Sequence, residues 1–109
     1  MVKSRLNPKS VPVIAERLRM LRKATFGKQA EFCRYVDITN AAWNNYEKGR
    51  DRIGLDTAVR LHETLGVSLD WVYLGSEGGM PYGLMEKIKR VEAEEKEQPR
   101  NASVDFTGS

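Results

Sequence analysis

The stretch from Gln29 to Gly49, QAEFCRYVDITNAAWNNYEKG, decides the fold. Together with Lys28 its first part predicts a helix over residues 28–36. Phe32, Cys33 and Val36 recur there at the three- and four-residue spacing that lines one helical face. Asp37-Ile38-Thr39 interrupts it. Thr39 is a good N-cap for the next helix, because its hydroxyl can accept from a free amide of that helix's first turn. A third helix over 40–48 buries Trp43 and Tyr46 at i and i+3 and leaves Asn40, Ala41, Asn44 and Asn45 on its other side. Gly49 stops it in the left-handed conformation that glycine tolerates best.

Working outward, Ser10 followed by Val11-Pro12 predicts a helix start, with Ser10 capping and Pro12 in the first turn. Ile14, Leu18 and Leu21 continue at helical spacing, and Phe26-Gly27 ends this first helix. After a polar loop over 50–54, Leu55–Leu65 predicts a fourth helix closed by Gly66. Ser68 opens a short fifth, Leu69–Leu74, closed by Gly75. Residues 76–79 form a break, and a last helix over about 81–97 carries one narrow apolar stripe, Leu84, Ile88 and Val91. No strand or internal repeat is visible, so the expected class is all-α. The expected organisation is a flexible arm over 1–10, a compact five-helix domain over 11–75, a linker and C-terminal helix over 76–98, and a disordered tail over 99–109.

The chain of 109 residues is long enough to bury a core without staples. Its net charge of +3 hides a division. Residues 1–54 hold 12 Lys and Arg against 5 Asp and Glu, whereas 55–109 hold 6 against 10. A basic half of this kind suits a polyanion, and it is also what chance imbalance on solvated helix faces would produce. No apolar run reaches a membrane span and residues 1–10 contain no signal-like stretch, which predicts a soluble, cytoplasmic, nucleoid-associated protein. Single Cys33 excludes an internal disulfide and fits a small buried filler. His62, alone, is expected at the surface. Asn101-Ala102-Ser103 fits a glycosylation acceptor that an unsecreted chain would not use, and the Glu92, Glu94, Glu95, Glu97 run fits a solvated helix end. No acid–base pair, phosphate-cradling loop or metal spacing is present, so neither an enzyme, a cofactor nor a metal is expected.

Two short helices joined by three residues, the second capped by Thr39, form a helix-turn-helix pattern. Residues 29–49 resemble the phage repressor/Cro-like helix-turn-helix family, also called lambda-repressor-like. The resemblance extends over residues 14–75 and includes Leu21-Arg22-Lys23, Tyr46-Glu47-Lys48-Gly49 and the run LDTAVRLHETLGVSLDWVYLG from Leu55. It implies a five-helix DNA-binding domain whose third helix enters the major groove of double-stranded DNA. Asn40, Ala41, Asn44 and Asn45 match the family's base-reading positions. Asn pairs both ends of its amide with adenine, which makes an A·T-containing half-site the expectation. Lys28, Gln29, Thr39, Arg50 and Arg52 are the expected phosphate contacts, and Arg22 with Glu47 matches a family ion pair that orients the third helix. Three departures stand out: Asp37 where the family has Gly at the turn, Lys28 where it has a Ser or Thr cap, and Phe26-Gly27 where it has Gly-Leu.

The function this implies is a sequence-specific transcriptional regulator, a repressor that occupies an operator. Family members commonly bind palindromes as dimers, so a homodimer is expected, and the Leu84, Ile88 and Val91 seam either packs back on the domain or pairs with its twin in that dimer. Two alternatives keep the fold. One is an antitoxin whose segment from Met80 onward wraps a toxin as protein partner. The other is a protein-interaction module that no longer binds DNA.

Overall fold

The computed structural model describes residues 7–105, and each of the elements it describes is a helix. These are α1 (Val11–Thr25), α2 (Gln29–Val36), α3 (Asn40–Glu47), α4 (Leu55–Leu65), α5 (Leu69–Leu74) and α6 (Tyr82–Asp105). The first six residues of the expected arm and the last four of the expected tail lie outside the described residues. The apolar spacing read from the sequence is what the core uses. Ile14, Leu18 and Leu21 of α1 meet Phe32, Cys33 and Val36 of α2, Trp43 of α3, Ala58 and Leu61 of α4, and Trp71 and Val72 of α5.

The helix ends follow local chemistry, with one difference. Thr39 Oγ1 accepts from Ala42 N at 3.1 Å and Ser68 Oγ from Trp71 N at 3.0 Å, so both act as side-chain caps. Ser10 holds the N-cap position of α1, but its hydroxyl makes no capping bond; its carbonyl accepts the first helical bond, from Ile14 N at 3.0 Å. With Pro12 in the first turn one amide is already absent, which lessens the need for the cap. Gly75 ends α5 at φ 78°, and a Cβ there would stand 3.0 Å from Arg17 Nη2. Arg17 occupies that space to donate to the carbonyls of Val72, at 2.8 Å, and Pro8, at 3.1 Å. It thereby closes the free end of α5 and ties down the chain before α1.

The largest differences from expectation concern α6. It runs to Asp105 rather than stopping near 97, and residues 84–98 are almost all good helix formers. Its stripe packs back on the domain, one of the two uses expected for it. Ile88 is fully buried, and Leu84 and Val91 pack against the core. Met80 and Met85, absent from the expected core, are buried with them. The physical reason is that α6 lies along α1 and covers its Met20 side.

An ion cluster fastens the far end of this helix. Glu95 accepts from Arg19 Nη2 at 2.7 Å and Nη1 at 3.2 Å, and from Lys23 Nζ. One member of the glutamate run expected to be solvated is therefore engaged within the fold. Arg19 also holds Glu16, one turn back, at 2.8 Å. The bonds from Arg19 and then Lys23 hold the Glu95 carboxyl down at about 2, against an ordinary value of 4.5. A depressed folded-state value means that the stabilisation is complete above pH 4.5 and is lost as the pH falls from there towards 2. Glu95→Gln should therefore lower stability by about 1 kcal/mol at neutral pH, a figure kept small by water access to the pair, and should flatten the acid limb. Thermal unfolding followed from pH 7 to pH 2 measures both effects.

Candidate nucleic-acid interface

The placement of α3 begins with what anchors its inner side. Trp43 is fully buried, with its ring centroid 4.6 Å from that of Phe32 and 6.2 Å from that of Tyr46. One turn on, the Glu47 carboxylate accepts from Arg22 Nε at 2.6 Å and Nη2 at 3.0 Å, and from the Trp43 indole N–H. The pair is well covered, with 16% of the Arg22 side chain and 8% of the Glu47 side chain exposed. Arg22 also donates to the Gly27 carbonyl, so the same guanidinium reaches the loop that introduces α2. Burial first, and the Glu47 carboxylate second, push the neighbouring Cys33 thiol above its ordinary value, which leaves it an inert filler.

The turn between α2 and α3 needs a left-handed residue, and Asp37 supplies it at φ 60°, ψ 50°. Asp visits this region more readily than most residues with a Cβ. The cost is further offset by Arg60 of α4, whose Nη1 donates to the Asp37 carbonyl at 2.6 Å and lies 3.8 Å from its carboxylate. Sequence reasoning missed Arg60. It is 23 residues away from Asp37 and carries no local signal. Gln29, the first residue of α2, sends Nε2 across the turn to the Asn40 carbonyl at 3.0 Å.

These anchors leave one stripe of α3 off the core. Asn40 and Ala41 are exposed, and Asn44 and Asn45 are half-buried on the same side. Lys28, Thr39, Arg50 and Arg52 are exposed around it, with Gln29 half-buried. The fold brings four of these residues together in two pairs and turns Arg52 to the chain before α1. Gln29 meets Asn40; Arg50 Nη1 reaches Asn45 Oδ1 at 3.3 Å; and Arg52 Nη1 reaches the Lys9 carbonyl at 2.5 Å. Lys28 occupies the N-cap of α2 and, as its side-chain chemistry requires, makes no capping bond. One further cation joins this side unannounced, the exposed Lys48 at the C-cap of α3, four residues beyond Asn44, and the backbone of Lys9 is drawn in by Arg52. The i+4 spacing of Lys48 was a usable signal; the position of Lys9 was not.

His62 lies exposed, its Nδ1 3.0 Å from the Val67 carbonyl. Among the described residues, no group of three or more His, Cys, Asp or Glu side chains could hold a metal ion. None of the described helices is long and apolar enough to cross a membrane.

The anchor under α3 has a measurable consequence. Glu47→Ala leaves the Arg22 guanidinium and the Trp43 indole without their acceptor and should cost about 2–4 kcal/mol. Glu47→Gln keeps one oxygen for one of the two donors and should cost about half as much. Urea unfolding monitored by tryptophan fluorescence distinguishes the two variants.

A helix-turn-helix family model matches residues 18–72, just over half of the chain, from the middle of α1 to α5. No curated protein and no solved structure matches it. The matched span contains the anchored α3, the left-handed turn and the Gln29 bridge. The chain thus belongs to the Cro/C1-type, lambda-repressor-like helix-turn-helix family of DNA-binding regulatory domains.

Proposed function

We propose that this protein is a sequence-specific transcriptional repressor that occupies an operator with α3 in the major groove. The observation that carries the reading is the division of α3 into two sides. Trp43, Tyr46 and Glu47 are committed to the domain, and Asn40, Ala41, Asn44 and Asn45 are left outside it, within a surround of cations. Asparagine is a mediocre helix former, so three of them within six residues of a helix need a reason other than helix stability.

Base reading falls to this stripe. Asn40 and Asn44 can each offer an amide oxygen and an NH2 to adenine N6 and N7, and Ala41 can meet a thymine methyl. Phosphate contacts fall to Lys28, Gln29, Thr39, Arg50 and Arg52. Gln29 suits this because the free amides and positive dipole end of α2 lie beside it, and its amide already bridges to the first residue of α3. Arg22 and Glu47 touch no base and instead set the angle at which the stripe is presented. The cytoplasm, at the nucleoid, is the compartment where such a protein acts.

Two copies on a palindrome, with half-sites about one helical turn apart, complete the reading. Occupancy of a promoter-proximal operator by the pair then blocks transcription.

Random-site selection followed by mobility shift tests this. The expected operator contains A·T pairs, and Asn44→Ala should lose about 1–3 kcal/mol of discrimination at one of them. Lys28→Ala and Arg52→Ala should each weaken all sequences alike and reduce the log–log salt slope by about one. Light scattering on the selected duplex should give two chains per operator. A salt-independent interaction with duplex DNA, or a selected pool without A·T preference, contradicts the reading.

A further inference from the structure

The loop after α3 folds back onto the helix it leaves. The Asn45 carbonyl accepts from Arg50 N at 2.9 Å and from Asp51 N at 3.3 Å. The same return brings the Arg50 guanidinium to the Asn45 amide, Nη1 to Oδ1 at 3.3 Å. A guanidinium has donors and no acceptor, so only the oxygen end of the amide can face it. Chemistry therefore chooses the orientation of the amide: oxygen towards Arg50, NH2 away from it. Asn45 is half-buried and Arg50 exposed, so the pair stands at the edge of the outward stripe.

This orientation changes what Asn45 can read. An unengaged Asn recognises adenine with both ends of its amide, the oxygen accepting from N6 and the NH2 donating to N7. With one lone pair of its oxygen taken and the oxygen turned towards a cation, Asn45 presents its NH2 as the unengaged end. The N6 amino group of adenine, itself a donor, would have to approach the oxygen beside the Arg50 guanidinium, donor against donors. Guanine instead presents two adjacent acceptors, N7 and O6, which match the Asn45 NH2 and the remaining N–H groups of Arg50.

We infer that Arg50 is a specificity-determining residue: by holding Asn45 Oδ1 it converts this position of α3 from an adenine reader into a guanine reader. The inference rests on the DNA-reading role proposed above. It gives Arg50 a task beyond the phosphate contact that its place in the loop implies, and it leaves adenine recognition to Asn40 and Asn44.

Random-site selection with the full chain tests it, comparing wild type with Arg50→Ala, Arg50→Lys and the double variant Arg50→Ala/Asn45→Ala. The wild type should select guanine at one position of the half-site. Arg50→Ala frees the Asn45 oxygen, so adenine should rise there and the guanine-to-adenine ratio should fall by about tenfold or more, with the other positions unchanged. Arg50→Lys, whose ammonium also only donates, should keep guanine. The double variant should lose the adenine gained by Arg50→Ala, because that gain depends on Asn45. Loss of guanine without a gain of adenine overturns the inference, since Arg50 then reads the base by itself. Equal weakening on all sequences with an unchanged motif and a salt slope shallower by about one also overturns it, since Arg50 is then a phosphate contact. Failure of the DNA reading itself looks different: the wild-type chain selects no motif, and both conclusions fall together.

Discussion

The carboxylate of Glu47 is the point on which the geometry of this domain depends. It receives two N–H groups of Arg22 from α1 and the indole N–H of Trp43 from its own helix. Arg22 in turn reaches the Gly27 carbonyl, so one guanidinium joins α1, α3 and the entrance to α2. Hydrophobic contact alone would hold α3 against the core but would leave its rotation loosely defined, because apolar burial is non-directional. A bidentate Arg–carboxylate pair adds direction. The stripe Asn40, Ala41, Asn44 and Asn45 points outward because the opposite stripe is fixed by hydrogen bonds of defined geometry. Such a pair contributes little net stability over an apolar replacement, and orientation is the better account of its presence.

The same economy governs the cations of the first half of the chain. Read as a sum, they make one broad basic surface. In the structure they divide. Arg17 closes the end of α5, Arg19 and Lys23 clamp Glu95 of α6, and Arg22 anchors Glu47. Lys28, Lys48, Arg50 and Arg52 remain exposed on the side of α3. The acidic second half is likewise put to use, since Glu95 pairs with two of those cations on α1. The basic character that matters for a polyanion is thus smaller than the count implies and more concentrated.

Much of the fold was legible because its signals are local. The helices α1 to α5 begin and end within a residue or so of where apolar spacing, Thr39, Ser68 and the glycines put them, since capping and left-handed termination are decided within a turn of the chain. The Arg22–Glu47 pair was legible only through family resemblance; a separation of 25 residues carries no periodic signal. Other features stayed hidden for the same physical reason. Arg60 supports the Asp37 turn, Arg17 fills the space left by Gly75, and Met80 and Met85 join the core, each through contacts between residues distant in sequence. The stripe Leu84, Ile88 and Val91 was recognisable as a buried face, but an amphipathic pattern states that a face needs covering and not by what.

By itself, the amino-acid order determined the helices, the capped turn between α2 and α3, and which residue types occupy the outward side of α3. These depend on spacing of three to four residues and on the conformational preferences of single side chains. Only the tertiary structure decided how those residues are used: that α6 spends its stripe on α1, that Arg52 turns to the Lys9 carbonyl, and that Arg50 takes the oxygen of Asn45. Each is a choice among chemically equivalent partners, and proximity in the folded chain makes that choice because a hydrogen bond or a van der Waals contact acts over only a few ångströms.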